Sequence, residues 1–228
     1  MSFDIRIRRG DIEATSRNRN GLTYKGFGVL SANSTSALLP DLKKHHPQAY
    51  WKLVRTLFAG PRPLFDLVKI EMGNDRDNST GADGCTMRSR SERPVLAREP
   101  GFQLAADARS VADRPPHVSL LRWCRPAWVE SDRDQSVWFK DTILTAYREL
   151  GFMVDSLNPD ANETREPDLG LYRRFARWIR TDTRGFEATG SDADGPTASD
   201  AGWSSETERE LFHRIRVVAA DCAETPPT

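Results

Sequence analysis

Several kinds of protein are excluded by what this chain of 228 residues is short of. No stretch approaches the ~18 consecutive apolar residues of a membrane span. The arginine-bearing start, MSFDIRIRRGDIEATSRNRN, leads into no apolar core, so neither an integral membrane segment nor a secretory leader is expected, and as written the chain carries no export signal. Charge of one sign is missing too. Lysine plus arginine equals aspartate plus glutamate at 33 each, without the basic excess that would point to nucleic acid as a partner. Cysteine is scarce: Cys85, Cys124 and Cys222 are widely separated and odd in number, which fits no zinc pattern and leaves free thiols expected. The four histidines, His45, His46, His117 and His213, show no ligand spacing beyond one adjacent pair, and all read as solvent-exposed. No P-loop and no complete GxGxxG occurs, which disfavours a nucleotide-binding domain. No cofactor and no metal site is expected.

What is present can build a core, since 38% of the residues are hydrophobic. The stretch around which the chain is organised is Phe152 to Glu163, FMVDSLNPDANE. Its apolar start reads as a buried parallel strand, and its Asn-Pro-Asp as the loop at the strand's end. Such strand ends are where barrels and open α/β folds place their chemistry, which makes Glu163 the principal catalytic candidate.

Strand and helix alternate on either side of it. Leu22–Ser31 is β-prone, and its Gly26 and Gly28 read as a tight strand-end turn. Ser34–Ser36 offer helix caps, and Tyr50, Leu53, Val54, Leu57 and Phe58 repeat at helical spacing. Phe65–Met72 is the second strand, with Glu71 near its end and the long polar loop GNDRDNSTGADG after it. Leu104 to Ala112 forms a second helix and Val118–Trp123 the third strand, which runs into Trp123 and Trp128. An aromatic face there can stack on a sugar ring, although Trp128 reads better as core. Ile143, Leu144, Tyr147 and Leu150 face one side of a third helix, closed by Gly151. Leu169 to Ile179 makes a fourth, its arginines forming a solvated face. Glu206–His213 is a short helix and Ile215–Ala220 a fifth strand, with Asp221 and Cys222 at its end. The order predicts a parallel sheet and the α/β class. Two architectures fit it: an open doubly wound sheet, or the first five strands of a (β/α)8 barrel.

The segments YKGFGVLSANSTSALLP, VKIEMGNDRDNSTG, GFQLAADA, LLRWCRPAW and NPDANE, in this order and spacing, resemble the N-terminal half of the catalytic barrel of glycoside hydrolase family 59, the galactocerebrosidase family, and its bacterial members above all. The resemblance covers about Leu22 to Asp221. It implies a TIM-barrel type fold and retaining hydrolysis of β-galactosides, with a carbohydrate or glycolipid as substrate. It also implies that Glu163 is the general acid/base and Asn162 its sugar-contacting neighbour. Trp123 matches a sugar-facing tryptophan, and Glu71, Asn74 and Asp75 lie in the family's second strand-end loop. Family members usually act outside the cytosol.

The chemistry explains the residue types. A carboxylic acid must protonate the leaving oxygen, and in retaining enzymes a carboxylate about 5 to 5.5 Å away attacks the anomeric carbon. The resemblance puts that nucleophile after a seventh strand, so the chain is expected to be a truncated member that lacks it. Glu71 is the only other nearby carboxylate and is not expected to substitute. The organisation expected is an arm over 1–21, a partial barrel over 22–222 with a flexible insertion at 183–205, and a tail over 223–228. Open sheet edges are expected to favour self-association. A noncatalytic carbohydrate-binding relic is the competing reading.

Overall fold

A computed structural model describes Arg6 and residues 8–10, 26–32, 37–78, 81–161, 166–181 and 203–219. Most of the expected arm, the residues 22–25 and 33–36, most of the expected insertion, and Asp221, Cys222 and the tail lie outside the described residues, as do Asn162 and Glu163.

Five parallel strands form the central sheet: β1 (Phe27–Ser31), β2 (Phe65–Met72), β5 (His117–Arg122), β6 (Ser156–Ala161) and β7 (Arg216–Val217). Between β2 and β5 stands a small antiparallel hairpin of β3 (Asp77–Asn78) and β4 (Gly81–Ala82). The crossovers run through α1 (Leu38–His45) and α2 (Pro47–Phe58), then α3 (Gly101–Val111), α4 (Asp132–Leu150), and finally α5 (Leu169–Thr181) and α6 (Glu206–His213).

The spatial order β1-β2-β5-β6-β7 decides between the two expected architectures. A doubly wound sheet reverses its strand order at a switch point. Here each crossover lays the new strand beside the previous one, and the order never reverses, as barrel winding requires. The chain is therefore an α/β protein with barrel-type winding over five strands.

Alternation along the strands assigns their two faces. Val68, Ile70, Met72, Val118, Leu120 and Leu157 join Phe102, Trp138, Phe139, Ile143 and Phe175 in one core between sheet and helices. The register pairs Glu71 with Leu121 and Leu121 with Asn158, so these three form one row on the opposite face, the face that a barrel turns inward.

Local chemistry sets the helix limits. In α4 the Ser131 hydroxyl accepts the N–H of Asp134 while the Asp134 carboxylate accepts the N–H of Ser131, a capping box. The helix ends at Gly151, whose φ of 76° suits a residue without Cβ. A bidentate pair at 2.7 and 2.8 Å joins Arg148 of α4 to the fully buried Glu208 of α6.

Four expectations need correction. The apolar run Phe152–Val154 is buried but is not a strand. Asp155 meets Val118 first, donating its N–H to that residue's carbonyl and accepting its N–H on the side chain. Ladder pairing therefore begins one residue later, at Ser156 with Ser119. The expected turn Asn158-Pro159-Asp160 then lies inside β6, and Pro159, which lacks an N–H, is tolerated where the register slips beside Leu121 and Arg122. The first helix is two, broken at His46 with Pro47 opening the second. Two of the histidines are not solvent-exposed: His117 is half-buried and bonds Ser156, and the half-buried His213 bonds the Ile179 carbonyl.

Candidate active site

Parallel winding gathers the C-terminal ends of β1, β2, β5 and β6 at one end of the sheet, the end where barrels carry their chemistry. The sequence candidates that the structure describes are all found there.

Glu71 is only 2% exposed. Burial, with Asp83 beside it as a charge and hydrogen-bond partner, pushes its carboxyl up to about 8. Asp83 reaches it because the loop after β2 folds back over the strand end. Gly73 permits that approach, since a Cβ there would stand 2.3 Å from the Asp83 carbonyl oxygen. A third buried carboxylate, Glu99, lies close behind. It accepts from the Ser31 hydroxyl at 3.0 Å and from the N–H groups of Gly101 and Gly84 at 3.2 and 3.3 Å. Burial outweighs those bonds and lifts it to about 7. Glu71 is thus a neutral acid at pH 7.

Asn74 and Asp75 hold the same loop. Asn74 donates from Nδ2 to the Arg125 carbonyl at 3.0 Å, tying the loop after β2 to the loop after β5. Asp75, with φ 64°, accepts from Arg88 at 2.6 Å and from the N–H of Cys85 at 2.9 Å. Burial raises its carboxyl, and the bonds to Arg88 and Cys85 overcome that and hold it low. Trp123 is half-buried and continues β5 by donating its N–H to the Met72 carbonyl at 2.9 Å. Trp128 packs against the core and donates its indole N–H to the Met87 carbonyl. Cys85 is buried, Cys124 half-buried, and both are free thiols.

The end of β6 holds residues that sequence reasoning passed over. Asn158 is 2% exposed; its Oδ1 accepts the N–H of Asp160 at 2.9 Å, while Nδ2 is a buried donor with no acceptor among the described residues. Gln135 of α4, fully buried, accepts from Arg122 at 2.9 Å and Arg125 at 2.6 Å, and donates to the Pro159 carbonyl. Arg122 is pulled down to about 10 by burial and by Arg125, and stays charged at neutral pH. The signal for Asn158 and Asp160 was the motif NPDANE, in which they read as turn formers, while Arg122 and Arg125 lie in the segment LLRWCRPAW and Gln135 in no motif. Nothing in sequence spacing ties Asp83 or Glu99 to Glu71. Among the described residues no group of three or more His, Cys, Asp or Glu side chains is placed to hold a metal ion.

A singly wound parallel sheet with buried carboxyl groups, amides and a tryptophan at its strand ends defines a barrel-type α/β domain with a polar site at that end. The family model of glycosyl hydrolase family 59 matches residues 24–221, and the chain belongs to that family. Curated proteins give no match. Among solved structures, SrfJ from Salmonella typhimurium aligns with a TM-score of 0.47 at 15% identity, over 62% of this chain and 35% of that one. The chain thus spans about a third of the length of that structure.

Proposed function

We propose that this chain forms the acid/base half of a β-galactoside-cleaving site of the retaining type, for a carbohydrate or glycolipid substrate. Membership of the family over residues 24–221 carries the proposal, because it makes the chain's setting that of a glycoside hydrolase. Glu163 protonates the leaving oxygen. Asn162 holds the sugar 2-hydroxyl and Trp123 stacks on the ring, while Glu71, Asn74 and Asp75 frame the subsite from the second strand-end loop. Glu71 supports the site as a neutral hydrogen-bonding acid rather than as a nucleophile, since attack on the anomeric carbon needs an ionised carboxylate. The resemblance puts the nucleophile after a seventh strand, and the described sheet has five.

An external nucleophile tests this directly. With an aryl β-galactoside and azide, azide forms the new bond to the anomeric carbon as the glycosidic C–O bond breaks, and the Glu163 proton passes to the leaving oxygen. The expected product is the α-galactosyl azide, from one inverting displacement, detected by NMR of the anomeric proton. Turnover that needs no azide would contradict a nucleophile outside these strands, and a folded chain that yields no adduct would contradict the site. A chain that binds the galactoside without turnover is the binding-relic reading.

We also infer that a second copy of the chain covers the sheet edge at β1. Leu30 is 44% exposed there, apolar area that association removes from water.

No helix among the described residues is long and apolar enough to cross a membrane.

A further inference from the structure

We propose that a cavity at the opposite end of the sheet from the candidate active site binds a phosphate monoester with an apolar body. The inference does not rest on the reading of Glu163. The cavity opens where three strands begin, β5 at His117, β6 just after Asp155 and β7 at Arg216. Its volume is about 410 Å³, a size suited to a small molecule. The floor is apolar. Phe152, Met153 and Val154, the buried run that stops short of the ladder, line it together with Tyr147 of α4 and Leu211 of α6. The rim is cationic. Arg109 comes from the last turn of α3, Arg214 from the end of α6 and Arg216 from β7, against a single carboxylate, Asp155.

That carboxylate is already engaged. Asp155 Oδ2 accepts the N–H of Val118 at 2.8 Å and stands 4.0 Å from Arg109 Nη1. Arg109 also donates to the Pro116 carbonyl at 3.1 Å, and its guanidinium carbon lies 5.7 Å from the centre of the Phe152 ring, which fixes it over the floor. Arg214 and Arg216 are held through their backbones instead. The Arg214 N–H goes to the Leu211 carbonyl at 3.1 Å and the Arg216 N–H to the Asp155 carbonyl at 3.0 Å. Among the described residues neither of these two guanidinium groups has a hydrogen-bond or ion-pair partner. Helix C-termini draw cations, and α3, α4 and α6 all end here. An arginine serving those ends would donate to their last carbonyls, and these two do not, so their N–H donors remain for a ligand. His117, bonded to Ser156 at 2.8 Å, enters as a neutral ring: burial lowers its pKa, Asp155 opposes the fall and Arg216 adds to it. Three guanidinium groups against one carboxylate leave an excess of two positive charges, which a phosphate monoester matches with about −1.5 to −2 at neutral pH. A guanidinium fork fits a pair of phosphate oxygens, and the apolar floor takes the organic group of the ester.

Phenyl phosphate is the probe, titrated into the full chain at neutral pH and followed by proton–nitrogen NMR. It is expected to bind saturably with a Kd below about 1 mM, and to shift the amides of residues 151–155 and 211–216, which border the cavity. Inorganic phosphate lacks the ring and benzoate the second charge; each is expected to bind at least about 10-fold more weakly. Arg214→Gln and Arg216→Gln are each expected to weaken phenyl phosphate at least about 10-fold. Arg177→Gln, on the exposed face of α5, is expected to leave its Kd unchanged. Equal weakening by all three changes marks general attraction to surface charge and overturns the inference. So does the absence of saturable binding, equal affinity for phenyl phosphate and either simpler anion, or shifts centred on the loop after β2. Should a glutamine variant fail to fold by circular dichroism, the lysine variant at that position keeps the charge and loses the fork. It is expected to bind phenyl phosphate about 3-fold more weakly or worse, and undiminished affinity there overturns the inference as well.

Discussion

Glu71 and Asp83 show how a site is prepared by single residues. Two carboxyl groups this close and this buried cannot both ionise at modest cost, so one keeps its proton near neutrality. This has a consequence for stability with a definite sign. A carboxyl whose folded pKa is raised above its unfolded value binds more protons in the native state, so stability is highest below the unfolded pKa and falls as pH rises toward the folded one. Between pH 6.5 and 8.5 the unfolding free energy is expected to drop by about 2 kcal/mol, roughly 4–8 °C in melting temperature. Glu99, lifted to about 7, acts in the same direction. Thermal denaturation across that range checks it, and Glu71→Gln should flatten the dependence. Glu71 itself was legible as a strand-end carboxylate. Its burial was not, because its partner Asp83 is supplied by a loop whose path depends on a close backbone approach at Gly73.

At the scale of elements, the helices were legible where apolar spacing and end signals agree. The α4 helix has both, with Ser131 at its start and Gly151 at its end. A Cβ at Gly151 meets no atom within 4 Å, so Gly151→Ala is opposed by backbone conformation alone. It is expected to cost about 1 kcal/mol, read as a fall of roughly 2–4 °C in melting temperature. Ser131→Ala removes the capping box and is expected to cost a similar amount, about 1 kcal/mol, by the same measurement. The fourth parallel strand was found in the sequence but misplaced. Hydrophobicity picked out Phe152–Val154, whereas the ladder runs over Ser156–Ala161 and buries Ser156, Asn158 and Asp160. An inward-facing strand end that carries polar groups for a site has no apolar alternation to mark it, and Pro159 reads locally as a turn.

For the whole molecule, the alternation of strands and helices predicted a parallel sheet but not its winding. The winding follows from the pairing order, and pairing is a long-range property that the spacing of apolar residues does not carry. The inference that a second copy covers the β1 edge has a plain hydrodynamic outcome. Sedimentation velocity is expected to show a concentration-dependent dimer, and Leu30→Lys, which puts a charge on the exposed edge, is expected to shift it toward monomer. A chain that sediments as monomer at all concentrations contradicts it.

The measurement that bears most directly on the central claim compares the chain with Glu163→Gln in azide-assisted release of phenol from phenyl β-galactoside. If Glu163 is the general acid, the wild type releases phenol and the variant is slower by about 100-fold or more, with both folded by circular dichroism. Equal rates in the two proteins would contradict the assignment of the acid.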